Sequence, residues 1–342
     1  MRPRRSAQRQ NVPPEGAAPD LAALILAAAG TAPGANERIA IATSGGPDSI
    51  GLLALAAHCF PGRITALTVD HGLRAASAAE AALVARQCAA RGITHATLRW
   101  EGPKPKANLQ ALARAARYRL MGGWCRAHGV AWLLTAHHAD DQAETLLMRL
   151  ARGSGSGGLA GIRAARDMDG VRLVRPLLGL RKADLARLAA GWEFVADPAN
   201  ADPRHDRTHA RALIEATPWL DAPALAAAAA HLADDAAALD WAADRAWEGN
   251  VRAEAGAVLI DAAGLPAAIL HRLLARAIAA LAPDASLRGG DIARLAARIG
   301  AGQVATLAGV KLRPGPVWRL ELTPKPQESR QLAVKARQNR TG

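Results

Sequence analysis

The chain has 342 residues, enough for two domains of ordinary size, and half of them are hydrophobic, so sizeable buried cores can form. Its 43 basic against 30 acidic side chains leave a formal charge of +13, a balance that favours a polyanionic partner, of which nucleic acid is the usual one. Three scattered cysteines, Cys59, Cys88 and Cys125, form no CxxC pair, which excludes a disulfide framework and a four-thiolate metal site.

Residues 1–17 are rich in Arg, Pro and Gln and read as a disordered basic tail. The apolar stretch Leu21–Ala29 is too short to span a bilayer, and no cleavable leader precedes it. Cytoplasm is the expected location. A short helix over Asp20–Ala29 is followed by an alternation of strands and helices. Strands are expected at Arg38–Thr43, Ile64–Val69, Thr94–Trp100, Val130–Thr135 and Val171–Arg175. Helices fall between them near 47–59, 77–91, 107–128, 139–152 and 182–190. Strand and helix at this spacing predict an α/β fold with a doubly wound parallel sheet. Ligands bind beyond the carboxyl ends of such strands, and the chemically loaded segments 44–49, 70–74 and 135–144 all follow predicted strands.

After the turn Asp197–Asn200 and Pro218 the composition becomes Ala-rich. Helices near 221–248, 265–281 and 289–299, with short strands near 257–260, 303–307 and 317–322, predict a second, smaller, mainly helical domain. The boundaries read from sequence are 18–217 for the first domain and 218–323 for the second. Residues 324–342 read as a further disordered basic tail.

The central motif is Ser44-Gly45-Gly46-Pro47-Asp48-Ser49. Glycines let the backbone turn sharply and approach an anion closely. A proline suits the first helical position, and the free N–H groups of a helix start cradle phosphate. Ser44 and Ser49 can add hydroxyl donors. A carboxylate would repel phosphate, so Asp48 is best explained as a Mg²⁺ holder or as a group that orients a reactant. The alternative is a tight turn with a Ser/Asp cap. Gly153–Gly158 also satisfies G-x-G-x-x-G, but it follows a helix, which argues against a dinucleotide site.

The second constellation runs from Thr135 to Glu144 and includes His137, His138, Asp140 and Asp141. Asp141 and Glu144, three apart on a helix, share a face. Three uses are open: metal ligation for hydrolysis, partners of the helix dipole, or two convergent carboxylates for a cationic substrate.

SGGPDS, VDHGLR (69–74), ARAARYRLM (113–121), TAHHADDQAETLLMRLARGSGSGGLAGI (135–162), VRPLLGLRKADL (174–185) and DPAN (197–200) occur in that order. Together they resemble the tRNA(Ile)-lysidine synthetases, PP-loop ATP pyrophosphatases of the adenine nucleotide alpha hydrolase-like fold, across roughly residues 38–215. The resemblance implies ATP with Mg²⁺, free lysine, and a tRNA(Ile) with a CAU anticodon, whose wobble cytidine is adenylated at C2 and then attacked by the lysine ε-amine. It implies nucleotide binding by Ser44, Gly45, Gly46, Pro47, Asp48, Ser49, Asp70 and His71. Catalysis is expected of Asp48, Arg117, His137, Asp141 and Glu144, with Arg117 set against phosphate or the activated base. Substrate contacts are expected of His138, Asp140, Arg152, Arg207 and Arg211. Residues 153–156 would form a loop over the site, and the second domain would bind tRNA. A PP-loop tRNA thiolase and a non-catalytic tRNA-binding module are the competing readings; the missing CxxC weighs against the first and the intact motifs against the second. Oligomeric state is open, a homodimer being one option.

Overall fold

The structure, a computed structural model, describes residues 18–73, 77–102, 104, 108–195 and 206–323. The basic tails, Arg74 and the DPAN turn lie outside the described residues. Contacts divide the chain into two compact units: residues up to 150 with 161–230, and 151–160 with the residues from 231 onward.

In the first unit, α1 (Leu21–Ala29) starts where Asp20 accepts from the Ala22 and Ala23 N–H groups and stops at Gly30, whose φ is 72°. There follow β1 (Ile39–Ala42), α2 (Pro47–Cys59), β2 (Ile64–Asp70), α3 (Ser77–Ala89), β3 (Thr94–Arg99), α4 (Leu109–Ala127), β4 (Trp132–Leu134) and α5 (Ala139–Ala151). A four-residue helix α6 (Ser156–Leu159) falls in the segment grouped with the second unit. Then come β5 (Ala165–Met168), β6 (Val171–Val174), α7 (Lys182–Leu188) and α8 (Asp206–Ala216). α9 (Ala222–Asn250) contains the division between the units.

The sheet order is β3-β2-β1-β4-β6-β5. The first five strands run parallel, as expected, and β5 adds an antiparallel edge. Side-chain alternation clothes both faces. Ile39, Ile41, Ile64, Trp132 and Leu134 pack with α1, α2 and α7. Ala40, Leu67, Leu133 and Leu173 pack with Tyr118, Met121 and Cys125 of α4. On the α2 face, Gly51 permits an unusually close approach. A Cβ there would stand 2.5 Å from the Leu185 carbonyl oxygen of α7.

The second unit carries β7 (Val251–Glu254), β8 (Ala257–Ile260), α10 (Ala267–Leu281), α11 (Gly289–Gly300), β9 (Ala305–Leu307), β10 (Val310–Arg313) and β11 (Trp318–Leu322). Its helices accompany a five-stranded antiparallel sheet, β7-β8-β11-β10-β9. The apolar stripe of α10 and α11 (Leu273, Leu274, Ile278, Ile292, Ile299) meets Ile260, Val310, Leu312 and Leu320 in a core of its own. Sequence patterning had found three of these five strands; β7 and β10 are the additions. Among the described residues no helix is long and apolar enough to cross a membrane.

Candidate active site

Strand order reverses between β1 and β4, since the chain adds β2 and β3 on one side and later strands on the other. The loops leaving these two neighbours diverge, which opens the crevice where open α/β sheets bind ligands. Residues 44–46 leave β1 and residues 135–138 leave β4.

Gly45 takes φ 87°, and a Cβ on it would meet Val84 at 3.3 Å and Val195 at 3.6 Å. Gly46 caps α2 with no side-chain bond, and Pro47 opens the helix, so the first N–H groups of α2 face the crevice mouth without an intrahelical partner. The Ser49 hydroxyl is committed inward: it accepts from the Ser44 N–H (3.1 Å) and donates to the Gly46 carbonyl (3.0 Å). Ser49 therefore braces the loop. Its sequence-expected use as a free phosphate donor is filled by this internal bonding, and Ser44 Oγ lies 3.2 Å from it. Behind the loop, the Val195 N–H donates to the Gly45 carbonyl at 2.8 Å.

His138, 4% exposed, is the hub of the crevice. Its Nε2 lies 3.6 Å from Asp48 Oδ2 and 3.6 Å from Asp141 Oδ2, and its Nδ1 lies 3.3 Å from Asp140 Oδ2. Burial opposes its charge, but hydrogen bonding to Asp140 and Asp48 and the charges of Asp141 and Asp48 outweigh it and push its pKa up to about 10. His138 is thus an imidazolium that ties three carboxylates together. Asp140 also accepts from the Lys182 N–H (2.8 Å), and Asp141 from the His138 N–H (3.2 Å), which fixes the start of α5.

His137 is the opposite case. Burial, reinforced by Arg175, Arg114 and Arg117 against Asp141, lowers its pKa to about 3. It is a neutral ring whose Nδ1 lies 2.9 Å from Thr135 Oγ1. His71 is likewise lowered by burial and by Arg117 and Lys104, against Asp70; it sits edge-on to Trp100 at 5.9 Å. Asp70 accepts from the Gly72 N–H and shapes the turn after β2. Arg117 lies close enough to act on both histidines, and burial lowers its own pKa.

Glu144 is 2% exposed, and α8 brings two guanidiniums to it: Arg207 Nε at 3.0 Å and Arg211 Nε at 2.8 Å. Arg207 also reaches Asp141 at 3.7 Å. Burial still raises the Glu144 pKa more than Arg207 and Arg211 lower it. The two arginines expected to face RNA are therefore turned onto the acidic wall, where they occupy the kind of seat an ammonium group would take. Arg152 is exposed and lies in the segment grouped with the second unit.

Two glutamines had no signal in the sequence. Gln142 brackets Ile162, donating to its carbonyl and accepting from its N–H. Gln87, on α3, does the same to Glu193 at 2.7 and 2.8 Å.

A helix-headed glycine loop at the switch point of this sheet, facing a carboxylate wall, defines a PP-loop nucleotide enzyme, and the PP-loop domain family matches residues 24–217. Curated relatives sharpen the class. The tRNA(Ile)-lysidine synthase of Novosphingobium aromaticivorans is 45% identical over 302 residues, covering 86% of this chain and 92% of that protein. That of Zymomonas mobilis is 40% identical over 296 residues, covering 84% and 89%. The chain belongs to the tRNA(Ile)-lysidine synthase family. Among solved structures, the U34-tRNA thiolase of Methanococcus maripaludis is similar in fold, with a TM-score of 0.50 at 14% identity, covering 62% of this chain and 76% of that one.

Proposed function

We propose that this chain ligates free L-lysine to C2 of the wobble cytidine of a CAU-anticodon tRNA(Ile), consuming ATP and releasing AMP and pyrophosphate. The observation that carries this reading is the polarity of the crevice: one wall is anionic (Asp48 and Asp141 at His138, with Glu144 joined to Asp141 through Arg207) and the other holds Arg117 beside two neutral histidines.

Each wall suits one partner. The glycine loop and the start of α2 offer N–H groups to the phosphates of ATP. Asp48 Oδ1 is buried with no hydrogen-bond partner, an orphan oxygen of the hard-donor type that would hold Mg²⁺. Among the described residues no three His, Cys, Asp or Glu side chains form a metal cluster. That ion would neutralise phosphate charge when bound. Asp141 and Glu144 hold the lysine ammonium in the seat that Arg207 occupies. Free lysine has a pKa near 10.4, so exposing its lone pair at pH 7 costs roughly 4–5 kcal/mol, and an adjacent carboxylate that accepts the proton meets that requirement. His138, already protonated, cannot serve as that base. Neutral His137 and His71 suit uncharged polar groups of base or ribose, and Arg117 suits developing negative charge.

The second unit is assigned to tRNA binding and the protein to the cytoplasm. A sulfur-transfer reading is disfavoured by the thiols: burial pushes Cys88 and Cys125 up to about 11, against Arg91 and Arg126 respectively, which leaves them unreactive. The test combines protein, Mg-ATP, labelled lysine and a CAU-anticodon isoleucine tRNA. Label in the RNA, dependent on ATP, supports the reading. Pyrophosphate release without label in the RNA would mean a different acceptor.

A further inference from the structure

On the α4 face of the sheet lies a second cluster of charge that has no ion-pair partner among the described residues. Tyr118, the single tyrosine of the chain, is 8% exposed. The guanidinium carbons of Arg166, Arg114 and Arg117 lie 4.9, 5.2 and 5.6 Å from its ring centroid. Arg175, at the end of β6, reaches its phenol. An aromatic ring has two faces, so one phenol cannot satisfy four cations. Arg175 is 4% exposed, donates one Nη1 bond to the Arg163 carbonyl (2.6 Å), and keeps its Nε buried without a partner.

Other arginines are spread over separate partners: Arg38, Arg63, Arg91 and Arg172 each donate to backbone carbonyls. Arg272, Arg276, Arg313 and Arg319 each meet a carboxylate. Among the described residues no ion pair joins Arg114, Arg117, Arg166 or Arg175 to one. Holding the buried Arg175 and half-buried Arg117 beside two further guanidiniums is unfavourable where the dielectric is reduced, and an external anion relieves it.

We propose that Arg114, Arg117, Arg166 and Arg175 around Tyr118 form a seat for a backbone phosphodiester of the RNA substrate, on the opposite side of the crevice from the glycine loop. The seat deepens the function proposed above and rests on it for the identity of the RNA. Planar guanidiniums with several donors match phosphate oxygens. The source is RNA backbone rather than ATP because the two anion sites start from opposite faces: the loop heads α2, packed on Ile39 and Ile41, while the seat rises from α4, packed on Ala40 and Leu133. Arg117 and Arg175 also act on His137, so a strand anchored here would present its neighbouring base to the crevice. The same arrangement makes Arg114, Arg117 and Arg175 lower the Tyr118 pKa against burial, which alone would raise it.

Arg114 and Arg166 are exposed, so the full chain with either replaced should fold. Binding of a CAU-anticodon tRNA transcript is measured by fluorescence anisotropy over a KCl series, and ATP binding by calorimetry. Arg114→Ala and Arg166→Ala are each expected to weaken RNA binding about 3- to 10-fold and to lower the salt slope by about one. Arg166→Lys should retain the slope, and ATP affinity should not change. An Arg114→Ala/Arg166→Ala double variant with unaltered RNA affinity and slope overturns the seat. Loss of ATP affinity with RNA affinity kept also overturns it, by assigning the arginines to the nucleotide. Failure of the lysine-transfer assay with the unaltered chain, while these RNA effects persist, would sink the proposed reaction and leave the seat standing.

Discussion

His138 Nε2 stands 3.6 Å from Asp48 Oδ2, a contact that joins the loop after β1 to the loop after β4 across the switch point of the sheet. It ties the nucleotide side of the crevice to the acidic wall with one buried imidazolium. Asp48 keeps its other oxygen, Oδ1, buried without a hydrogen-bond partner, which leaves it open to the ligand role proposed above. Asp48→Asn removes the charge and preserves the shape. Pyrophosphate release from Mg-ATP and tRNA should fall by at least about 100-fold, the scale seen when one electrostatic stabiliser is lost. The melting temperature should change little, because Asp140 and Asp141 still hold His138. Activity within a few-fold of the unaltered protein would remove Asp48 from the chemistry.

Asp141 separates the two half-reactions. It touches His138 and Arg207 and lies on the wall assigned to the amine. Asp141→Asn should raise the lysine KM by about 10-fold or more and leave pyrophosphate release within a few-fold, since the glycine loop is untouched. Equal loss in both measurements would show that the residue serves adenylation as well.

Much of the first unit was legible because the central parallel strands β1, β2 and β4 are short, buried, mainly apolar runs. The α2 boundaries were read correctly from Gly46 and Pro47. β5 was missed although Asp169-Gly170, both with positive φ, is a strong two-residue hairpin signal between Met168 and Val171. β7, Val-Arg-Ala-Glu, is half-exposed to exposed and carries no apolar pattern to find. In the site, helical spacing correctly puts Asp141 and Glu144 on one face, but it could not reveal partners on α8, more than sixty residues away. Nor does sequence adjacency show which way each histidine turns. The sequence placed His137 first, whereas the chain turns His138 into the carboxylates and His137 toward Thr135 and the arginines.

The two histidines predict opposite pH behaviour in separate windows. His138, raised from 6.5 to about 10, favours the folded state fully below about 6.5, and that contribution is lost as pH climbs through 10. His137, lowered to about 3, binds its proton more readily in the unfolded chain, so stability falls as pH drops from about 6.5 toward 3. His71 and His95, lowered mainly by burial, add to the same acid-side loss. Asp140, lowered to about 2, stabilises the folded state in full above its ordinary value of 3.8, and that contribution is lost only as pH falls from there toward 2, outside the window of the histidines. Urea unfolding between pH 4.5 and 6.5 should therefore show a shallower dependence in His137→Asn than in the unaltered chain. An unchanged slope would mean that His137 is not buried as a neutral ring.

Gln87 tests whether the glycine loop is held from behind. It is 7% exposed and grips Glu193 through both amide atoms. Next to it, Arg91 stacks over Trp192 at 4.0 Å, and two residues further on Val195 donates to the Gly45 carbonyl. Gln87→Leu keeps the volume and removes both hydrogen bonds to the exposed residue Glu193, each with a net worth of about 0.5–1.5 kcal/mol. Freed from this clamp, residues 193–195 release Gly45, and the loop loses the orientation that presents its N–H groups. The ATP KM should rise about 5- to 20-fold, a loss of roughly 1–2 kcal/mol of binding, while the lysine KM stays within two-fold. A fall in melting temperature with both KM values unchanged would reduce the clamp to a purely structural bond.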